Sequence, residues 1–119
     1  MEWMVVNCLT WHYNVGNNFW GGFFMIIVYA KCVVTGQNRE AFLELAGKLV
    51  EETRKEQGNL SYRLVQSRES QNIYAFVEEW PGQEALDIHM ASEHFKKLGA
   101  EIGKVVEGSI EITTHELIR

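Results

Sequence analysis

The sequence predicts an α+β domain over residues 25–119 with the element order β-α-β-β-α-β. Three observations support this prediction. A nearly continuous, largely β-branched run from Ile26 to Val34 is typical of a buried strand. Apolar residues recur at helical spacing in later stretches, which indicates amphipathic helices. A short polar segment between two further strand-like runs indicates a hairpin.

The first helix follows the first strand after a turn, and Asn38 is placed to cap it. We predict this helix from Arg39 to about Gln57. Gly58 comes next, at a position typical of a helix C-terminal glycine. The predicted apolar face of the helix consists of Phe42, Leu45, Ala46, Leu49 and Thr53.

A hairpin comes next, with strands at Leu60 to Arg68 and Ile73 to Trp80 on either side of the loop 69–72. Pro81 cannot donate a hydrogen bond to a strand ladder, so the second strand should end at Trp80.

The last third of the chain contains two predicted helices and a strand. A short helix ends near Met90, and Ser92 caps a longer helix that stops by Gly108. Ile110 to Ile118 forms the closing strand. This order is the ferredoxin-like arrangement.

The sheet of such a fold is expected to have one face without helices. Whichever side of the third strand forms that face, it is apolar, with either Tyr74, Phe76 and Trp80 or Ile73, Ala75 and Val77. Exposed apolar area of this size usually marks an interface. The sequence therefore predicts a homodimer that closes the two open faces against each other.

Composition excludes several classes of protein. The chain has 119 residues, 46% of them hydrophobic and 23% charged, which is typical of one globular domain. A net charge of −5 argues against a nucleic-acid or anionic-membrane partner. Cys8 and Cys32 make no disulfide framework, which favours a reduced, cytoplasmic setting. The apolar run from Phe23 to Val34 is too short to cross a bilayer.

Residues 1–24 differ in character from the rest, with three of the four Trp and no Lys or Arg. We interpret them as an atypical N-terminal extension, and a misplaced start before Met25 is the explanation we favour. The alternative is a genuine extension whose aromatic residues pack on the domain or on a partner: Trp3, Trp11 and Trp20.

The most informative stretch runs from Phe76 to Phe95. The corner at Trp80-Pro81-Gly82 is short, so the end of the strand and the start of the next helix must lie close together. Helical spacing then puts His89 beside an apolar face. We therefore expect a carboxylate, an indole and an imidazole to lie close together: Glu78, Trp80 and His89.

Three segments, in order, resemble the antibiotic biosynthesis monooxygenases, a family that includes quinol monooxygenase-like proteins and an autoinducer-2-processing branch. These segments are Glu56 to Tyr62, Phe76 to Trp80 and Ala85 to Phe95, and the resemblance covers Met25 to about Leu117. It implies a dimeric α+β barrel that oxidises electron-rich phenols with dioxygen and without metal or flavin. The substrate then acts as its own cofactor, so no cofactor is expected.

Within this resemblance, His89 is the expected base, since its unperturbed pKa of about 6.5 lies near neutrality. Glu78 is expected either to orient His89 or to hold a substrate hydroxyl. His94 ranks second as a site residue because it lies off the face of His89, unless a helix break at Ser92 re-aims it. The expected pocket residues are Trp80, Tyr62 and Phe95, with Asn59 as a polar contact near the rim.

Each of these residues also has a possible structural role. In that alternative, His89 is a packed histidine bonded to a backbone carbonyl. Glu78 pairs with Arg63 or Lys31 across the sheet. Trp80 and Tyr62 are core aromatics. No metal site is expected, because His89 and His94 lack the i, i+4 spacing of two ligands on one helical face.

Two other functions stay open. One is an isomerase acting on a small phosphorylated metabolite, like the autoinducer-processing branch, with Arg63 and Arg68 as the nearby cations. The other is a non-catalytic dimer that binds a small molecule.

Overall fold

The computed structural model describes residues 2–6 and 24–119. Strands and helices follow the predicted order, with one further strand at the start. A single 3₁₀ turn, Gly36–Asn38, precedes the first helix. The elements are β1 (Glu2–Val6), β2 (Ile26–Val33), α1 (Arg39–Arg54), β3 (Ser61–Gln66), β4 (Ile73–Trp80), α2 (Gln83–Ala91), α3 (Glu93–Val105) and β5 (Glu107–Glu116).

The strands form one antiparallel sheet in the order β1-β5-β2-β4-β3. Strands β5-β2-β4-β3 with the three helices make the predicted ferredoxin-like fold. Strand β1 adds to the outer edge of β5, where Glu2 pairs with Thr114 and Val6 with Ile110. Residues 1 and 7–23 of the predicted extension lie outside the described residues, and our interpretation of residues 1–24 stays a prediction.

The helices cover one face of the sheet and enclose the core. Along β2, alternate residues point into this core: Ile26, Val28, Ala30 and Cys32 are buried. Val28 pairs in register with Glu78 on β4. Glu78 is thus placed among the core side chains, under the helices.

Two predicted helix ends differ from those observed. Asn38 precedes α1 but makes no capping hydrogen bond through its side chain. Helix α1 ends at Arg54, so Gly58 lies beyond its C-terminus. A Cβ atom at Gly58 would lie only 2.9 Å from Cβ of Ala85 in α2. Gly58 is therefore suited to the close approach of this turn to α2 rather than to a helix cap.

The open face of the sheet carries several apolar side chains, as predicted, beside the Arg63–Glu79 ion pair. Of the two alternatives for β4, Tyr74, Phe76 and Trp80 lie under the helices, and Ile73, Ala75 and Val77 lie on the open side. Tyr29 is 40% exposed and Val65 is 43% exposed on the same open side. Among the helices of the described residues, none is both long and apolar enough to cross a membrane.

Candidate active site

Glu78 is a buried acid near the end of β4, only 5% exposed. Its Oε1 accepts a 2.9 Å hydrogen bond from Nε1 of Trp80, two residues further along the strand. Burial raises the pKa of Glu78 to about 8; the Trp80 hydrogen bond opposes this rise and the charge of Glu56 adds to it. At neutral pH the Glu78 carboxyl is therefore mostly protonated.

The alternative in which Glu78 pairs with Arg63 or Lys31 is wrong. Arg63 instead contacts Oε2 of Glu79 at 3.3 Å. Successive side chains of a strand point to opposite faces, so Glu79 meets Arg63 on the open side and Glu78 does not.

His89 lies in the last turn of α2 and is fully buried. Its ring centroid is 4.7 Å from that of Trp80, 4.7 Å from that of Phe95 and 5.4 Å from that of Tyr62. Its Nδ1 lies 2.6 Å from Oε2 of Glu56. Nε2 is buried and has no hydrogen-bond partner among the described residues.

Glu56 sets the tautomer of this imidazole. Partial burial opposes its ionisation, but hydrogen bonds and charge from His89 and His94 hold the pKa of Glu56 below its usual value. An ionised carboxylate only accepts hydrogen bonds, so Nδ1 of His89 carries the proton and donates. Burial lowers the pKa of His89, and Glu56 only partly opposes this. The ring is therefore neutral near pH 7, with a bare lone pair on Nε2.

Of the two roles expected for Glu78, orienting His89 is wrong, because Glu56 makes that contact. The other role, holding a substrate hydroxyl, stays a prediction. Glu56 is the first residue of the Glu56 to Tyr62 segment that carries the family resemblance, and that is its only sequence signal. It is separated from His89 by 33 positions. No local pattern connects residues so far apart.

Ser92 breaks the chain between α2 and α3 and brings His94 to the same acid. Its Oγ donates to the carbonyl of His89 at 2.7 Å and accepts from the backbone N–H of Phe95 at 3.3 Å. Nε2 of His94 then lies 2.6 Å from Oε2 of Glu56 and 3.2 Å from Oγ of Ser92. The break thus re-aims His94 toward His89, which is the condition on which a site role for His94 depended.

A small apolar cavity of about 20 Å³, measured as the space open to the centre of a water-sized sphere, lies between the sheet and the helices. Glu78 is the one carboxylic acid among the described residues that line it. That volume is enough for about one water molecule. The other lining residues are Val28, Ala30, Leu49, Tyr62, Phe76, Leu86, Met90, Phe95, Gly99, Ile102, Ile110 and Ile112.

The predicted site residues divide into three groups. Glu78, Tyr62 and Phe95 line the cavity. His89 and Trp80 lie behind this wall, in ring contact with Tyr62. The two remaining residues are near the surface: His94 contacts Glu56, and Nδ2 of Asn59 donates to the carbonyl of Ser61 at 3.0 Å.

Glu56, His89 and His94 are also the group in the described residues whose ligand atoms could hold a metal ion, since these atoms all lie within 4.8 Å of one another. The spacing argument against a shared site of His89 and His94 fails, because the two residues belong to different helices. The N···O distances of 2.6 Å are those of short charge-assisted hydrogen bonds.

Comparison with known proteins agrees with this architecture. The family model described as antibiotic biosynthesis monooxygenase matches residues 25–101. The Bacillus subtilis protein named "Putative monooxygenase YcnE" is 29% identical over 93 residues, which cover 78% of this chain and 98% of that protein.

Solved structures show the same fold. A conserved protein from Methanosarcina mazei has a TM-score of 0.76 at 31% identity, covering 82% of this chain and 96% of its own. A structure named antibiotic biosynthesis monooxygenase has a TM-score of 0.74 at 31% identity, covering 79% of this chain and 99% of its own. The chain therefore belongs to the antibiotic biosynthesis monooxygenase family.

Proposed function

We propose that this protein is a cofactor-independent monooxygenase that oxidises a small hydroxylated aromatic compound, such as a phenol or a quinol. The observation that carries the proposal is the buried, unpartnered Nε2 of His89. Its lone pair is kept bare by the hydrogen bond from Nδ1 to Glu56. An imidazole held in one tautomer in this way is suited to act as a general base.

The chemistry needs little more than a base and a dry pocket. Ground-state dioxygen is a triplet, so it reacts slowly with a closed-shell phenol. Removing the hydroxyl proton gives an anion that can transfer one electron to dioxygen. His89 does not itself line the cavity, so the Tyr62 ring in front of it must move aside before a substrate reaches Nε2. Nε2 then takes that proton, and Glu56 stabilises the imidazolium that forms.

The remaining steps balance without a cofactor. One electron passes from the phenolate to dioxygen, giving an aryloxyl radical and superoxide. The two combine at a ring carbon, and the resulting peroxide takes the proton back from His89. Loss of water then leaves a quinone with one atom of the dioxygen, while the other atom leaves in the water.

Glu78 supplies the polar contact in this scheme. As a protonated acid on the cavity wall, it can donate a hydrogen bond to the phenolate oxygen and stabilise the anion. Tyr62 and Phe95 offer aromatic faces to a flat ring on the same wall.

The cavity favours an uncharged substrate. The described residues that line it include no Lys or Arg, and Arg63 is engaged by Glu79 on the other face of the sheet. A phosphorylated metabolite would leave its charge unpaired there, which is costly in an apolar site. An aromatic ring needs more space than the present cavity, so side chains must move apart, and the flexible Met90 is suited to this.

Oxygen consumption tests the proposal. Chelator-treated protein is mixed with a panel of phenols, naphthols and hydroquinones in an oxygen electrode. We expect turnover with at least one class and a rate about 10²- to 10⁴-fold lower for His89→Gln. The matched control is His115→Gln, a histidine bonded to Thr113 on strand β5, which should behave as wild type.

A second variant checks the role of Glu56. Glu56→Gln should lower turnover, and ¹⁵N NMR of the imidazole should show that His89 loses its fixed Nδ1–H tautomer. No turnover across the panel, or a His89→Gln rate equal to wild type, would end the proposal. Saturable binding of an aromatic compound without oxygen uptake would instead identify a non-catalytic binding protein.

A further inference from the structure

Three metal-ligating atoms converge on one point beside the helix break. Nδ1 of His89 and Nε2 of His94 each lie 2.6 Å from the same oxygen, Oε2 of Glu56. All three atoms lie within 4.8 Å of one another. The residues come from three separate places: the turn after α1, the last turn of α2 and the first turn of α3.

The donor set indicates which ion it would take. Two imidazole nitrogens and one carboxylate oxygen suit Zn²⁺ and related transition ions, whereas Mg²⁺ and Ca²⁺ prefer oxygen ligands alone. The carboxylate also gives the group a negative charge when both rings are neutral. A divalent cation is therefore attracted to it.

The three side chains are held in place by their neighbours, and two of them are open to solvent. The ring of His89 is held between Trp80 and Phe95, and Ser92 fixes the chain between the two histidines. The side chains of Glu56 and His94 are 12% and 23% exposed, so an ion can enter from solvent. His89 forms the buried end of the group.

We propose that Glu56, His89 and His94 form a binding site for a divalent transition ion, with Zn²⁺ as the ion that fits the donor set best. Bonds of about 2.1 Å in a tetrahedral site place two ligand atoms about 3.4 Å apart. The present N···O distances of 2.6 Å must widen by a fraction of an ångström, which the partly exposed side chains of Glu56 and His94 allow.

Zinc binding has a consequence for the base, and this consequence rests on the proposed function. An ion on Nδ1 of His89 needs the lone pair there, so the single proton of the neutral ring moves to Nε2. Nε2 can then no longer accept a proton from a substrate. Zn²⁺ is therefore an inhibitor of the proposed reaction.

Calorimetric titration with ZnCl₂ tests the site without any substrate. We expect chelator-treated protein to bind one Zn²⁺ per chain with saturable heat, and Co²⁺ in its place to give visible absorption bands. Glu56→Gln and His94→Gln should each weaken binding more than about 100-fold, beyond the 10- to 100-fold typical of outer-shell changes. His115→Gln should bind as wild type, and circular dichroism verifies that each variant is folded.

If Zn²⁺ does not bind wild type saturably, the proposed site is wrong. The same holds if Zn²⁺ binding is unchanged in both Glu56→Gln and His94→Gln. The oxygen electrode separates this result from the proposed function. Zn²⁺ should inhibit wild type, and binding without inhibition would overturn the proposed consequence for the base. Oxygen uptake that appears only after Fe²⁺ is added would support the site but overturn both the inhibitory role and the cofactor-free reaction.

Discussion

At the residue scale, the core holds a carboxylic acid and an imidazole whose surroundings push both toward neutrality. Glu78 faces an apolar cavity and has the Trp80 indole as its hydrogen-bond donor, so its protonated form is favoured. His89 is buried with a carboxylate, and burial still lowers its pKa. An uncharged acid and an uncharged base within one core suit the proton transfer that we propose.

The titration of Glu78 predicts a pH dependence of stability. The folded pKa of about 8 lies above the reference value of 4.5, so the folded state holds a proton that the unfolded state releases. The contribution of Glu78 to the free energy of unfolding is fully present below pH 4.5 and is lost as the pH rises toward 8. Urea unfolding of wild type and Glu78→Gln at pH 5, 6.5 and 8 measures this.

We expect wild type to lose stability relative to Glu78→Gln by up to about 1.4 kcal/mol per pH unit between pH 5 and 8. Glu79→Gln is the control, because Glu79 lies on the other face with Ser61 and Arg63. Parallel pH profiles for wild type and Glu78→Gln would contradict the assignment of a protonated Glu78.

At the element scale, the helix ends decide where functional side chains point. Ser92 and Asn38 both precede helices and are both cap-forming residue types, yet only Ser92 makes a capping hydrogen bond through its side chain. The Ser92 cap starts α3 in a new direction. This change of direction lets His94 reach Glu56.

Removing the two candidate caps should have unequal effects. Ser92→Ala loses the bond from the Phe95 N–H and should lower the free energy of unfolding by about 0.5–2 kcal/mol. Asn38→Ala loses no such bond and should change it by less than about 0.5 kcal/mol. Chemical denaturation measures the free energy of unfolding of both variants. Equal losses in the two would show that the Ser92 capping hydrogen bond does not cause the destabilisation.

Two glycines give a second matched pair. Gly58→Ala forces its Cβ to within 2.9 Å of Cβ of Ala85, so the turn or α2 must shift, at a cost of about 1–3 kcal/mol. Gly47→Ala, inside α1, meets no atom within 4 Å and should stabilise by about 0.5–1 kcal/mol. Thermal and urea unfolding measure whether each substitution lowers or raises the stability of the protein. A neutral Gly58→Ala would mean that the turn is free to move away from α2.

At the scale of the whole molecule, the sheet separates a helix-covered core from an open face that carries several apolar side chains. The candidate site lies entirely on the covered side. The open side carries Tyr29, Val65 and Val77. We propose that a second copy of the chain covers this face, which accounts for apolar side chains at positions that helices leave exposed.

Light scattering tests the dimer. Wild type should have twice the mass of one chain, and Tyr29→Glu combined with Val65→Glu should give the monomer mass, because buried unpaired charges are costly at an interface. Ile88→Glu is the control, since Ile88 is 61% exposed on α2, on the helix side. A monomeric wild type, or a charged variant that stays dimeric, would contradict this arrangement.

Residue patterns in the sequence determined the order and type of the elements from Met25 onward, because strand alternation, helical spacing and turn residues act between near neighbours. The same patterns placed Glu78, Trp80 and His89 near one corner. They failed where a contact joined distant segments: Glu56 lies 33 positions from His89 and 38 from His94, and only the tertiary structure brings the three together.

The tertiary structure also decided between alternatives that local sequence patterns could not distinguish. Either face of β4 could have been the covered one, and the packing of α1 and α3 on one side placed Glu78 in the core and Glu79 outside it. Gly58 resembled a helix cap in the sequence, but its close contact with Ala85 is made across the fold. Local sequence restricts backbone conformation, whereas the environment and protonation of a buried side chain depend on everything packed around it.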